Sequence, residues 1–149
     1  MEGIGRPVVV LDFGAQYSKL IARRVRAARV YSLIVPYNIG SDALRAMNPA
    51  GIILSGGPAS VLGADAPMPD PRVFDLGIPV LGICYGAQLL AHMLGGEVAR
   101  ARHREYGIAH LEHGDGAGLL AGMDKRTQVW MSHGDRVERL PEGFESIGR

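Results

Sequence analysis

The feature that most constrains the fold of this chain is a series of short, unbroken apolar runs, each followed by a segment with helical spacing. The first run, at residues 8–12, reads Val-Val-Val-Leu-Asp and does not alternate apolar with polar residues. Such a strand is covered on both faces, as is typical of parallel sheets. Similar strands are predicted at residues 30–35, 51–55 and 78–81. Strands that alternate with helices predict a three-layer α/β fold, with a mostly parallel sheet and helices on both faces.

The segments between and after these strands complete the predicted organisation. Helical spacing covers residues 16–28, residues 42–47 and a third segment after residue 84 that ends at Gly95 and Gly96. Residues 63–72 are rich in proline, which predicts a surface loop. Beyond residue 98 the pattern changes to short strand-like pieces at 106–112, 127–131 and 144–147. These pieces predict antiparallel additions to the parallel sheet.

Length and charge narrow the class of protein. The 149 residues fit one domain, and a net charge of +1 gives no reason to expect nucleic acid or a membrane surface as a partner. A single cysteine excludes an internal disulfide and fits a reducing compartment, so a cytoplasmic location is expected. No secretory leader is expected, because the first residues show no basic segment followed by an apolar core, and no apolar run is long enough to predict a membrane span.

That cysteine, Cys84, lies in the sequence Gly-Ile-Cys-Tyr-Gly at residues 82–86, between a predicted strand and a predicted helix. A strand-to-helix turn flanked by glycines lifts one side chain out of the sheet edge, where it can meet a substrate. The N-terminus of a helix also stabilises a thiolate, the reactive form of cysteine. The alternative is a small buried hydrophobic residue, the commonest role of a free cysteine. This context favours a nucleophile.

A second glycine turn, Ser-Gly-Gly-Pro at residues 55–58, directly follows a predicted strand. The simplest interpretation is a tight turn that needs glycine. Phosphate binding is disfavoured because the sequence has no phosphate-loop lysine motif. A third interpretation is an oxyanion hole, in which the N–H groups of Gly57 and Tyr85 stabilise the charge formed when Cys84 attacks a carbonyl.

The five histidines are the candidate bases for such a nucleophile. By local context the strongest is His133, in the sequence Trp-Met-Ser-His-Gly-Asp at 130–135, which is predicted to be a strand end followed by a glycine turn. No histidine pair has the spacing of a zinc site, so no metal is expected. The basic residues Lys19, Arg23, Arg26 and Arg29 are predicted to form a solvated helix face, with a docking surface as the alternative.

Five sequence blocks together resemble the class I (triad-type) glutamine amidotransferases. These blocks lie at residues 10–18, 51–61, 82–88, 104–107 and 130–135, and the resemblance covers essentially the whole chain. It implies a flavodoxin-like sheet topology. It also implies that Cys84 attacks the side-chain amide of glutamine, with Gly57 and Tyr85 as oxyanion donors. Gln88 and the backbone of Gly134 and Asp135 would bind the substrate, and His133 would not be the base.

The resemblance also implies parts that this sequence does not contain. In the family the base is a histidine in a His-Pro-Glu block, which is absent here. Residues 1–149 are therefore expected to be a glutaminase domain that is incomplete at its C-terminal end, with little turnover and reduced stability. The blocks at 10–18 and 130–135 resemble members that pass ammonia to an ATP-pyrophosphatase domain acting on XMP. That domain would use ATP and Mg²⁺, and the missing region would form a homodimer.

Two alternatives remain open at this point. One is the glutaminase domain of an amidotransferase with a different acceptor. The other is a non-catalytic module that binds glutamine or docks a partner.

Overall fold

Four parallel strands form the sheet that the unbroken apolar runs predict. The structure is a computed structural model that describes residues 5–114 and 118–149, with all side chains in that range except those of residues 102–105 and 133. The strands, in the spatial order β2-β1-β3-β4, are β1 (Val8–Asp12), β2 (Ser32–Pro36), β3 (Gly51–Leu54) and β4 (Val80–Gly82). Helices α1 (Ser18–Ala27), α2 (Ser41–Ala46) and α3 (Tyr85–Met93) alternate with them.

Strand β1 lies in the middle of this sheet and is covered on both faces. Val9 and Leu11 have no exposed surface and belong to the larger core cluster, which includes Leu89 of α3. Val10 points to the opposite face and packs with Ala22 of α1. Successive side chains of a strand point to opposite faces, so the unbroken apolar run serves two cores. The three-layer α/β prediction is confirmed.

The proline-rich segment forms a loop that ends in a 3₁₀ turn at Pro71–Asp75. Asp70 precedes this turn and accepts hydrogen bonds from the backbone N–H of Arg72 (3.0 Å) and from that of Ser41 (3.0 Å). The second bond caps helix α2, whose own N-cap residue, Gly40, has no side chain to do so. The Arg72 guanidinium and the Ser41 N–H hold the pKa of the Asp70 carboxyl well below its usual range.

Asp70→Asn is expected to lower the thermal unfolding midpoint. The substitution removes the ion pair with Arg72 and weakens the hydrogen bonds that cap helix α2 and the 3₁₀ turn. The folded state lowers the Asp70 pKa, so this stabilisation is present at neutral pH. It is lost as the pH falls below the unfolded-state value of about 4. The difference in midpoint between wild type and variant should therefore shrink from neutral pH to acid pH. The exposed Asp65→Asn variant is the control, and an equal midpoint for Asp70→Asn and wild type at pH 7 would contradict the assignment.

The chain after α3 forms a long antiparallel ribbon instead of several short strands. Strand β5 (Glu97–Glu112) pairs with β6 (Arg126–Arg139), and a 3₁₀ turn at Gly118–Leu120 lies between them. The predicted pieces at 106–112 and 127–131 are therefore parts of two longer strands. The outer face of this β5–β6 ribbon is open to solvent, with Trp130 74% exposed and Ile108 60% exposed.

The predicted strand at 144–147 is wrong. These residues belong to no strand, and the neighbouring Gly148 forms only an isolated bridge to His113. Apolar residues suggested a strand here, but Phe144 and Ile147 are each about half exposed and pack into no sheet.

The basic face of α1 is mostly solvated, as predicted. Lys19 and Arg23 are exposed, and so is Arg29, which lies two residues beyond the end of the helix. Arg26 is also exposed, but its guanidinium donates to the carbonyl of Ser32 (2.9 and 3.3 Å) and so joins α1 to the first residue of β2. Over residues 5–114 and 118–149, no helix is long and apolar enough to cross a membrane.

Candidate active site

A cavity of about 540 Å³ lies between the carboxyl edge of the parallel sheet and the β5–β6 ribbon. Carboxyl edges of parallel strands are where sites form in open α/β sheets. The sheet side contributes Gly57, Ser60, Cys84, Tyr85 and Gln88. The ribbon contributes Arg100, Tyr106, Ser132, Gly134 and Asp135. All six residues that the sequence predicted for the site therefore line one cavity.

Cys84 lies at a sharp elbow between β4 and α3. Its backbone has φ 51° and ψ −112°, a left-handed conformation that a side chain rarely adopts, and α3 begins at the next residue. The flanking glycines are required by close packing: a Cβ at Gly82 would lie 2.6 Å from the backbone of Ala87, and one at Gly86 would overlap the carbonyl of Leu54. Cys84 itself is exposed and lines the cavity, so the alternative of a buried hydrophobic residue is wrong.

The glycine loop after β3 packs against this elbow. A Cβ on Gly57 would lie 2.6 Å from the carbonyl oxygen of Phe13, so only glycine fits there without moving backbone. Ser55 stabilises the loop through its Oγ, which accepts a hydrogen bond from the Phe13 N–H (3.0 Å) and donates one to the Gly56 carbonyl (2.9 Å). The loop position is thus fixed by buried polar contacts.

Two backbone N–H groups at the cavity lack acceptors in the part of the chain that the structure describes. Neither the Gly57 N–H nor the Tyr85 N–H donates to another described group, whereas Gly86 and Ala87 donate to Ile83 and Cys84. Free donors on both sides of a nucleophile are what an oxyanion hole requires. The phenol of Tyr85 is not available for this task, because it donates to the Pro67 carbonyl (2.7 Å). Burial raises the pKa of Tyr85 to about 12, so the phenol stays neutral.

Gln88 lies one turn after Cys84 on α3 and is buried. Its Nε2 donates to the backbone carbonyl of Asp135 (2.9 Å), which fastens the ribbon to the helix. The side-chain oxygen of Gln88 accepts no hydrogen bond from another described residue. The carboxylate of Asp135 accepts a hydrogen bond from the Oγ of Ser60, which is a second contact that joins the ribbon to the sheet.

The Gly134–Asp135 segment is part of a strand, and the predicted glycine turn after residue 133 is wrong. Strand β6 continues to Arg139, and its register against β5 shifts between the pairs Arg100–Asp135 and Glu105–His133. Gly134 lies between those two pairs. The glycine therefore accompanies an irregularity in the ribbon, a feature that often marks a site.

The described histidines do not supply a base. Among described side chains, none that lines the cavity is a histidine. His92 and His110 are exposed, and His113 contacts the carbonyls of Gly114 and Asp124. The backbone of His133 pairs with Glu105 in the ribbon, but its side chain lies outside the described part of the structure, so its role stays a prediction. Over the described residues, no three acidic, histidine or cysteine side chains are grouped for a metal.

Ser60, Arg100, Tyr106 and Ser132 also line the cavity, and none of them was predicted from the sequence as a site residue. Ser60 lies two residues after the glycine turn at 55–58, and this proximity was a usable signal. The other three lie on the ribbon, where only the pairing of β5 with β6 brings them to the cavity. No local motif marks them.

Comparison with known proteins gives a matching family and a matching fold. The family model for class-I glutamine amidotransferases matches residues 9–149. The chain is 57% identical over 142 residues to a glutamine-hydrolysing GMP synthase of Heliobacterium modesticaldum, covering 95% of this chain and 28% of that protein. It is 53% identical over 151 residues to the corresponding protein of Nostoc punctiforme, again covering 28% of it. The chain thus spans about a quarter of the length of these curated relatives.

A solved structure from Thermoplasma acidophilum, described as one of the subunits of a GMP synthase, superimposes with a TM-score of 0.83 at 29% identity. The match covers 96% of this chain and 72% of that one. The chain therefore belongs to the class-I glutamine amidotransferase family.

Proposed function

We propose that this chain is the glutamine-hydrolysing part of a GMP synthase. One observation carries the proposal: Cys84 lies in a strained elbow, facing a cavity where the Gly57 and Tyr85 N–H groups lack acceptors among the described residues. Strained backbone at a reactive side chain is typical of functional sites. The two N–H donors beside Cys84 fit an attack of its sulfur on a carbonyl carbon. Glutamine is proposed as the substrate because the family model and the relatives are those of glutamine-hydrolysing proteins.

In the proposed reaction the Cys84 sulfur attacks the side-chain amide carbon of glutamine. The carbonyl oxygen takes up negative charge and accepts from the two N–H groups. The C–N bond then breaks, the nitrogen takes the proton that the Cys84 thiol has lost and leaves as ammonia, and a glutamyl thioester remains on Cys84. Water attacks this thioester, the C–S bond breaks, and glutamate and the free thiol are released. The balance is glutamine plus water to glutamate plus ammonia.

The α-amino and α-carboxyl groups of the substrate are assigned to the other end of the cavity. The side-chain oxygen of Gln88, which accepts from no described residue, is assigned to the α-ammonium group. The backbone at Gly134 and Asp135 lies beside it and is assigned to the α-carboxylate. Because Gln88 Nε2 already bonds to Asp135, helix and ribbon form one preorganised surface for these groups.

The base, the acceptor and the second active site are assigned to the rest of a longer protein. None of the described cavity side chains is a histidine. In this proposal a histidine–glutamate pair outside residues 1–149 activates Cys84. An ATP-pyrophosphatase domain, using ATP and Mg²⁺, then adds the released ammonia to XMP to form GMP. We place this enzyme in the cytoplasm as a homodimer formed outside residues 1–149.

The proposal is tested by covalent labelling of the 149-residue chain with a chloroketone analogue of glutamine. We expect saturable, stoichiometric modification of Cys84, located by peptide mass spectrometry, and complete protection by excess L-glutamine. D-Glutamine should protect poorly because its α-groups are inverted. The labelling is carried out at mildly alkaline pH, because the thiolate is the nucleophilic form of cysteine.

Two results would count against the proposal. Labelling that rises linearly with reagent and ignores glutamine would show a reactive thiol without a glutamine site. Equal modification of a Cys84→Ser variant would place the reaction at another residue.

A further inference from the structure

Arg100 is a cation on the cavity wall without a partner among the described residues. The other described arginines of the β5–β6 ribbon are paired: Arg126 with Glu112 (3.3 Å), Arg136 with Glu138 (2.6 Å) and Arg139 with Glu97 (3.8 Å). Arg100 forms no ion pair or hydrogen bond with any residue that the structure describes, yet it lines the cavity.

The position of Arg100 in the ribbon explains why its charge reaches the site. It lies directly opposite Asp135 in the β5–β6 register, and side chains of directly opposed residues share a face of the sheet. The obvious partner of Arg100 is therefore the Asp135 carboxylate. That carboxylate instead accepts a hydrogen bond from Ser60, and the two charged groups are not within ion-pair distance. Among the side chains that the structure describes, none neutralises the guanidinium.

We propose that Arg100 binds the α-carboxylate of the substrate, which rests on the proposed glutaminase function. A guanidinium presents a planar fork of donors that matches a carboxylate with two parallel hydrogen bonds. It lies beside Asp135 and Gly134, the segment assigned to that same carboxylate. The side-chain amide at the other end of glutamine is then directed toward Cys84.

This assignment gives Arg100 a role in specificity. Free glutamine carries an α-carboxylate, whereas a glutamine residue inside a peptide carries an uncharged amide at that position. Arg100 would therefore select the free amino acid over protein-bound glutamine. It is a substrate-binding residue and takes no part in bond making or breaking at Cys84.

The test measures saturable labelling of Cys84 by two chloroketones, one with the α-carboxylate and one that lacks it. For Arg100→Gln, the half-saturating concentration of the carboxylate-bearing reagent should rise about 10- to 100-fold, the range for a lost charged hydrogen bond. Its maximal labelling rate should not change. The reagent without the carboxylate should label Arg100→Gln and wild type equally. Arg100→Lys should recover part of the lost affinity.

Arg136→Gln is the matched control, because Arg136 is an arginine on the same ribbon that does not line the cavity. It should match wild type with both reagents. If Arg100→Gln lost affinity equally for both reagents, or for neither, the role of Arg100 would be overturned. The glutaminase proposal would still stand. Unsaturable labelling of the wild-type chain itself would overturn both.

Discussion

Gly86→Ala is expected to lower the free energy of unfolding by about 3 kcal/mol, a large share of the stability of a typical domain. A Cβ at this position would overlap the carbonyl of Leu54, a fully buried residue of the inner strand β3. The obstacle is backbone, so no change of rotamer relieves it. Either β3 or the start of α3 has to move. Urea unfolding followed by circular dichroism measures the effect.

Substitutions at two other glycines distinguish a steric clash from backbone strain as the cause of the lost stability. A Cβ at Gly77 would meet no atom within 4 Å, but its φ of 68° strains any other residue. Gly77→Ala should therefore cost about 1 kcal/mol. Gly40 has neither obstacle, so Gly40→Ala should stay close to wild type. If Gly86→Ala were no less stable than Gly77→Ala, the close packing of α3 on β3 would not hold.

Gly57→Ala is expected to slow the maximal rate of Cys84 labelling by the glutamine chloroketone about 100-fold. The reagent's ketone oxygen becomes an oxyanion during attack, and removing one oxyanion donor typically costs about 3 kcal/mol. The new Cβ would lie 2.6 Å from the Phe13 carbonyl and push the loop away from the cavity, carrying the Gly57 N–H with it. A time course of labelling at saturating reagent measures this rate.

The control for Gly57→Ala is its neighbour. A Cβ on Gly56 would meet the Cβ of Cys84 at 3.6 Å, an ordinary contact, so Gly56→Ala should label at nearly the wild-type rate. Alkylation of Cys84 by iodoacetamide does not need the oxyanion donors. Its rate should therefore be the same in wild type, Gly57→Ala and Gly56→Ala. If Gly57→Ala kept the full chloroketone rate, the Gly57 N–H would not be an oxyanion donor.

Much of the sheet and half of the candidate site follow from local patterns in the sequence. The first strand is predicted at its observed bounds because one continuous apolar run fills two cores at once. The second begins two residues later than predicted, since Val30 and Tyr31 are apolar but exposed. Cys84 and Gly57 follow parallel strands directly, so the rule that carboxyl ends share one edge is sufficient to bring them together.

The ribbon half of the site could not be obtained in this way. Asp135 and Arg100 reach the cavity through pairing between strands that are more than thirty positions apart, and no short motif encodes that register. The glycine at 134 suggested a turn, because a glycine at a strand irregularity and a glycine in a turn look alike in sequence. The polar contact of Ser60 with Asp135 likewise depends on tertiary structure alone.

The left-handed backbone at Cys84 has an evolutionary consequence. A non-glycine residue with φ 51° and ψ −112° costs on the order of 1–3 kcal/mol, and glycine would relieve most of that cost. Holding a thiol in this conformation therefore costs the chain stability at one position. A descendant that no longer used the thiol would gain stability by replacing it with glycine.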